Sequence, residues 1–329
     1  MKKILEQLYN YEPLTKETSY QVLEKISKGA YNSSQISAFI TSYLMRDITV
    51  AELDGFRSAL LDLCIPFSTD YTTTDLCGTG GDGKDTFNIS TLSSFVVAGA
   101  GVKVTKHGNY GVSSFCGSSN ILESLGYSFT NDQSKLNKQL EEANICFLHA
   151  PLFHPAMKGV APIRRELGVK TFFNMLGPLV NPSQPKFQLI GVFNLKVLRL
   201  YQLLHQQLDK KVTIVHAMDG YDEISLTSAF KMIGKTTEKL LSAKDLNLMQ
   251  LTQEQLSGGK SIEDAKSIFL NVLNNECTAP QKEVVLANAG VAIANYKQID
   301  ILEGIELARV SIESGSALKS LKKMIEIAK

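Results

Sequence analysis

The residues best suited to chemistry gather at 75–83, Asp-Leu-Cys-Gly-Thr-Gly-Gly-Asp-Gly, after a short apolar run. Glycine lets backbone N–H groups approach a ligand closely, so such a loop suits a phosphate. Two familiar phosphate patterns nearly fit, and both fail. Gly78-x-Gly80-x-x-Gly83 is a literal GxGxxG. A dinucleotide fingerprint, however, runs straight into a helix and meets an acid about 20 residues on. Here Lys84 to Ile89 intervene before the helical Ser90, and no Asp or Glu occurs from Thr86 to Leu122. The Walker pattern matches at Gly78, Gly83 and Lys84, then fails at Asp85, where a metal-binding hydroxyl is required. A carboxylate there would also repel phosphate.

The acid-free stretch carries Lys103, Lys106 and His107 and many hydroxyls: Ser90, Thr91, Ser93, Ser94, Ser113, Ser114, Ser118 and Ser119. Helix starts expected at Ser90 and Ser118 offer unpaired N–H groups and a positive dipole end. The turn Lys106-His107-Gly108-Asn109 after an expected strand adds amides and a cation. Together these suit a polyanionic, phosphate-rich ligand. Opposite charge appears at Asp222-Glu223, within His216-Ala-Met-Asp-Gly-Tyr-Asp-Glu-Ile-Ser225. That segment follows an expected strand, where open α/β sheets place ligand groups. Adjacent carboxylates can hold two hard ions, or one ion plus water. Mg²⁺ held by one or two carboxylates plus phosphates is the usual arrangement.

The elements that must position these groups follow from length and pattern. A chain of 329 residues suggests about two domains. With 44% apolar and 20% charged residues, a largely disordered chain is excluded. Lys+Arg number 34 against 33 Asp+Glu, which argues against a chain-wide nucleic-acid or membrane-surface binder. The five cysteines form no CxxC pair and are odd in number, as expected of a reduced cytoplasmic protein. Glu6 and Gln7 interrupt the N-terminal apolar residues, so no signal peptide is expected, and no apolar run is long enough to span a membrane.

Residues 1 to about 66 read as helices. Thr15–Lys28 ends at Gly29; Ile36, Phe39, Ile40, Tyr43 and Leu44 share one helical face. Thr49 and Glu52 form a capping-box pattern, opening a helix with Leu53, Phe56, Leu60 and Cys64 on one stripe. From about residue 70, short apolar runs alternate with helices. Strands are expected at 74–77, 102–105, 145–149, 187–193, 212–217 and 224–227, and helices at 90–98, 118–125, 155–167 and from Ser261 onward. This alternation predicts an α/β fold with a mostly parallel central sheet plus a small helical N-terminal domain. The expected division is 1–68 helical, with an insert of about 155–185 packing on it, and 69–154 with 186–329 as the α/β part.

At this point the residues resemble the anthranilate phosphoribosyltransferase family. The matching strings are GTGGDG at 78–83, Asn88-Ile-Ser-Thr91, Lys106-His107-Gly108-Asn109 and Gly117-Ser118. Further on come His154-Pro-Ala-Met-Lys158, Ala161-Pro-Ile-Arg164-Arg165-Glu-Leu-Gly168, Phe173-Asn-Met-Leu-Gly177-Pro178-Leu-Val-Asn181-Pro182 and Asp219-Gly-Tyr-Asp222-Glu223. They fall in family order across residues 12–325. The resemblance implies transfer of phosphoribose from 5-phosphoribosyl-1-diphosphate to the amine of anthranilate, with Mg²⁺, as an early step of tryptophan biosynthesis. It implies the nucleoside phosphorylase/phosphoribosyltransferase fold class and a homodimer through the helical domain.

By matching position, Gly78, Thr79, Gly80, Gly81, Asp82, Thr86, Asn88, Ser90, Thr91, Lys106 and Ser118 would bind phosphoribosyl diphosphate. Ser90, Asp222 and Glu223 would hold Mg²⁺. Gly78, His107, Asn109, His154, Arg164, Gly177 and Pro178 would bind anthranilate, with Arg164 matching its carboxylate bidentately. No side chain need act as an obligatory nucleophile, because the aniline nitrogen is neutral at pH 7 and already nucleophilic.

Three departures stand out. Tyr110 replaces a frequent Arg, Ser119-Asn120 replaces Ala-Asp, and His216-Ala217 replaces His-Gly. Two other readings compete. A pyrimidine nucleoside phosphorylase would carry an Arg- and Thr-rich segment where this chain has Gly111-Val-Ser-Ser-Phe-Cys116. A relative that kept the fold as a nucleic-acid or regulatory binder fits poorly with a net charge of +1.

Overall fold

The computed structural model describes residues 1–111 and 116–329. Ser113, Ser114 and most of the segment 111–116 lie outside the described residues. The chain forms two compact units, Met1–Phe67 with Ala150–Gln184, and Ser68–His149 with Pro185–Lys329.

The first unit is helical. Its longer helices are Lys16–Ser27, Ser33–Met45 and Val50–Asp62. Each begins where a side chain takes an orphan N–H: Thr15, Asn32 and Thr49 accept from Thr18, Gln35 and Glu52. Gly29, at φ +69°, follows the first of these helices in the left-handed conformation. Glu52 does more than complete a capping box. Fully buried, it also accepts from the Leu14 N–H and the Tyr43 hydroxyl and pairs with Arg46. Phe39, Tyr43 and Phe56 pack edge to face, and Phe172 of the second segment stacks on Phe56 at 4.7 Å. That fourth ring binds the insert to the helices. Leu44, by contrast, is exposed, and Cys64 lies beyond the helix end. The continuous helix expected at 155–167 is instead a 3₁₀ turn, Pro155–Met157, and a helix, Ala161–Leu167, broken around Gly159.

The second unit is built on one seven-stranded sheet. Its strands are β1 (Thr74–Gly78), β2 (Val104–Gly108), β3 (Ile145–His149), β4 (Phe187–Gly191), β5 (Lys211–Ala217), β6 (Phe230–Ile233) and β7 (Glu238–Leu241). The spatial order is β3-β2-β1-β4-β5-β6-β7. The first five are parallel and the last two antiparallel. β3 and β4 are buried at every position, in keeping with their largely apolar sequences, although β4 also buries Gln188. The chain reverses its direction of strand addition between β1 and β4, creating the crevice where such sheets bind ligands. There Gly78 lies opposite Gly191.

Two expected strands shift or fail, and one hairpin was not expected. β2 starts two residues late, because the left-handed Gly101 and Val102-Lys103 still carry the chain off the helix Ile89–Gly99. Lys106, His107 and Gly108 are therefore ladder residues paired with Phe147, Leu148 and His149, not a turn. The run 224–227 is not a strand: Ile224 is held by a side chain, and Leu226 adopts φ +60°. The hairpin β6–β7 was not legible, since Glu238–Leu241 is short and largely exposed.

Candidate active site

The glycine loop leaves β1 and climbs over the β1–β4 crevice. Gly80, Gly81 and Gly83 take φ +67°, +81° and +74°, values open to glycine but costly to other residues. The Thr79 N–H donates to the Gly191 carbonyl at 3.0 Å. The Gly80 N–H donates to the Asp222 carboxylate at 2.6 Å, and Asp82 accepts from the Lys84 N–H at 3.1 Å. Asp222 is what makes Gly78 and Gly191 glycine. A Cβ on Gly78 would strike the Asp222 carboxylate, and one on Gly191 would strike its carbonyl. The Thr79 hydroxyl is buried without a hydrogen-bond partner among the described residues. A buried donor of this kind marks a place for a ligand oxygen.

The electrostatics are unusual. Burial pushes the Asp222 carboxyl well up, and nearby Asp82 and Glu223 add to the rise while the Gly80 N–H opposes it. Burial also pushes Glu223 up, to about 8; Lys106 opposes this, Asp82 reinforces it, and Ser90 donates to the carboxylate. Lys106 is buried, and its ammonium donates to the Leu76 carbonyl at 2.7 Å. Three carboxyl groups thus converge near one cation. Lys84 caps the Tyr221 ring at 4.7 Å. The loop bearing Asp222 is closed by Asp219, whose carboxylate accepts from Thr227 at 2.6 Å and Ser228 at 2.8 Å.

The acid-free stretch supplies the other wall. The Ser118 hydroxyl lies 3.2 Å from both the N–H and the carbonyl of Asn109. Asn120 accepts from the Gly111 and Gly117 N–H groups, each at 3.0 Å, so it keeps the helix-start bonding without a charge. Asn88 donates to the Cys116 carbonyl at 2.8 Å. Thr86 bridges to Ser257. Tyr110 sets its ring edge against His149, which stacks on Phe129 at 4.1 Å and bonds Ser119 at 2.9 Å.

Several residues of the stretch are buried or bonded within the fold. Thr91, Ser93 and Ser94 are buried on their helix, and Ser94 donates back to Ser90 at 2.8 Å. Lys103 precedes β2 and stands at the opposite end of the sheet from the loop. It donates to Leu140 and Asn144 and lies over Tyr71. His107 is buried beside β1, its N–H facing Asp75.

Four of the expected anthranilate residues belong to the helical unit. His154 is buried, bonded to the backbone of Val180 and Leu60, and burial lowers its pKa to about 4. Gly177 and Pro178 form a 3₁₀ turn. Arg164 is half-buried over the Phe173 ring at 5.3 Å and donates to Asn174 at 3.3 Å. No carboxylate pairs with it among the described residues, and burial lowers its pKa.

Sequence reasoning missed the roles of Asp219, Gly191 and Asn288. The only signal for Asn288 was a lone amide inside an apolar helical run.

Two family models match the chain. Residues 70–318 fit the glycosyl transferase family, a/b domain, and residues 2–64 fit the helical bundle domain of that family. The anthranilate phosphoribosyltransferase of Cytophaga hutchinsonii is 56% identical over 328 residues, covering 99% of this chain and 100% of its own. That of Flavobacterium psychrophilum is 55% identical, with both chains covered in full. The crystal structure of the Thermus thermophilus enzyme superimposes with a TM-score of 0.92 at 30% identity, covering 98% of each chain. The Saccharomyces cerevisiae enzyme, in complex with PRPP and Mg, gives 0.91 at 25% identity, covering 98% of this chain and 96% of that one.

Proposed function

The chain belongs to the anthranilate phosphoribosyltransferase family, and from that premise we propose how its own residues divide the reaction. The observation that carries the reading is the convergence of Asp82, Asp222 and Glu223 beneath left-handed glycines, with Lys106 beside them. Asp82 helps raise the pKa of both Asp222 and Glu223, and neighbouring oxygen donors of this kind suit a hard divalent cation. Asp222 and Glu223 would hold Mg²⁺ with the Ser90 hydroxyl. Bound there, Mg²⁺ supplies positive charge to a diphosphate.

The chain's own groups do the rest. Backbone N–H groups of the loop and the Thr79 hydroxyl face phosphate and ribose oxygens, and Lys106 adds a fixed positive charge where negative charge develops. Asp82, Thr86, Asn88, Thr91 and Ser118 complete the phosphoribosyl contacts. In the helical unit, Arg164 pairs with the anthranilate carboxylate, with His154, Gly177 and Pro178 as further anthranilate residues; in the α/β unit, the anthranilate residues are Gly78, His107 and Asn109. The amine nitrogen attacks C1 of the ribose as the C1–O bond to diphosphate breaks, and the electron pair leaves with diphosphate. The amine then loses its proton. Positioning two substrates accounts for most of such a rate enhancement. No covalent protein intermediate is proposed. The nearby Cys77 thiol is pushed far up by burial, which makes it a poor nucleophile.

The same reading assigns the chain to tryptophan biosynthesis in the cytoplasm, where its five free cysteines fit a reducing environment. It also assigns a homodimer through the helical unit, where Tyr9, Leu44 and Met45 are exposed. The test is direct. Protein mixed with anthranilate, 5-phosphoribosyl-1-diphosphate and Mg²⁺ should consume anthranilate fluorescence, and EDTA should stop it. No loss of fluorescence with folded protein would overturn the reading.

A further inference from the structure

We propose that Asn288 is a positioning residue for the carboxylate pair Asp222 and Glu223. The inference rests on reading that pair as the divalent-cation site. Asn288 lies on the helix Ala279–Lys297, within the buried run Val284–Ala294, whose other members are all apolar or glycine. It is 1% exposed. A buried amide is costly unless its donors and acceptor are bonded.

Here all are used. The side-chain oxygen accepts from the Ile224 N–H at 3.0 Å. The side-chain nitrogen donates to the Ile224 carbonyl at 2.9 Å and to the Val284 carbonyl at 2.8 Å. The Val284 bond ties the side chain to its own helix. The Ile224 bonds grip both polar atoms of the residue that follows Glu223. No other side chain of this size offers two donors and an acceptor in one plane; Asp lacks the donors and Leu lacks everything.

The grip is needed because this segment has no ladder to hold it. It runs between β5 and β6 and contains the left-handed Leu226. Asp219 closes its ends through Thr227 and Ser228. Asn288 fixes its middle, at the two peptides that flank Ile224. Asn288 and Glu223 also line one small cavity with Ser90, about 10 Å³ in volume. Without the clamp, the segment bearing Asp222 and Glu223 would be free to move, and the cation would lose its preformed seat.

The experiment compares three variants with the parent protein. Asn288→Leu keeps the shape and removes all three bonds. Ile293→Ala, buried on the same helix, controls for lost packing. Asp222→Asn plus Glu223→Gln reports the cation site itself. Mg²⁺ is titrated calorimetrically with 5-phosphoribosyl-1-diphosphate present, and turnover is followed against Mg²⁺ concentration. Asn288→Leu should bind Mg²⁺ about 10–100-fold more weakly, as is usual when a group that orients a ligand is lost. Its kcat should recover at saturating Mg²⁺, and its KM for anthranilate should stay near that of the parent. Ile293→Ala should lose thermal stability without moving the Mg²⁺ midpoint. If Asn288→Leu fails to fold, Asn288→Ser, which retains one polar group, should show a smaller shift in the same direction. An unshifted Mg²⁺ midpoint in a folded Asn288 variant overturns the proposal while the cation site stands. An unshifted midpoint in the double carboxylate variant overturns the cation site and the proposal together.

Discussion

Arg164 holds a guanidinium over an aromatic ring, bonded to a neutral amide and with no acid in range among the described residues. A half-buried cation in that state is poorly compensated, and a substrate carboxylate would complete it. Arg164→Ala should therefore raise the KM for anthranilate by about tenfold to a hundredfold, the worth of a charge-assisted hydrogen bond, and leave kcat nearly unchanged. Steady-state kinetics at saturating 5-phosphoribosyl-1-diphosphate checks this; an unchanged KM removes Arg164 from the acceptor site. At this scale the sequence was most informative where chemistry restricts the residue type. The glycines of 78–83 and the pair Asp222-Glu223 could be singled out because few other residues serve there. Lys103 could not be separated from Lys106, because one strand shift decides which end of the sheet a side chain meets, and Ser93 could not be separated from Ser90, because both lie on the helix Ile89–Gly99 and only packing buries Ser93.

His149 closes β3 and joins it to the helix Ser118–Ser124 through Ser119, with Phe129 stacked beneath. Burial lowers its pKa to about 4. An imidazole held neutral in the fold takes a proton more readily when unfolded. Its stabilising contribution is thus complete above pH ~6.5 and is lost as pH falls toward the folded value. Thermal unfolding between pH 7 and 5 should show stability falling by at most about 1.4 kcal/mol per pH unit for this one group. His149→Gln should flatten that slope, and His154 should account for a further part of it. An unchanged slope in the variant would show that His149 titrates normally. Elements of this kind were legible where apolar runs are buried on both faces, as in β3. The 224–227 run alternates apolar and hydroxyl residues as a strand can, yet the Asn288 clamp and a left-handed Leu226 replace its ladder. No local pattern announces a partner 64 residues away.

At the scale of the whole chain, the near balance of 34 Lys+Arg and 33 Asp+Glu argues against a chain-wide nucleic-acid binder. The proposed dimer would use the exposed Tyr9, Leu44 and Met45 of the helical unit. Light scattering should return twice the 36.1 kDa of one chain, and Met45→Asp should shift it toward the single-chain mass. A single-chain mass for the parent protein would remove the dimer. The order of the strands also sets a timetable. β1 pairs with β4, and between them the chain must first complete β2, β3 and the segment 150–184. A ribosome delivering residues from the N-terminus therefore finishes the helical unit, Phe172 included, before the first residue of β4 exists. The β1 edge waits open through that interval, and the glycine loop gains its Gly191 neighbour and its Asp222 seat later still. The β1–β4 crevice thus takes shape only after the helical unit has been made, and the nascent chain is most exposed to mispairing just before residue 187 emerges.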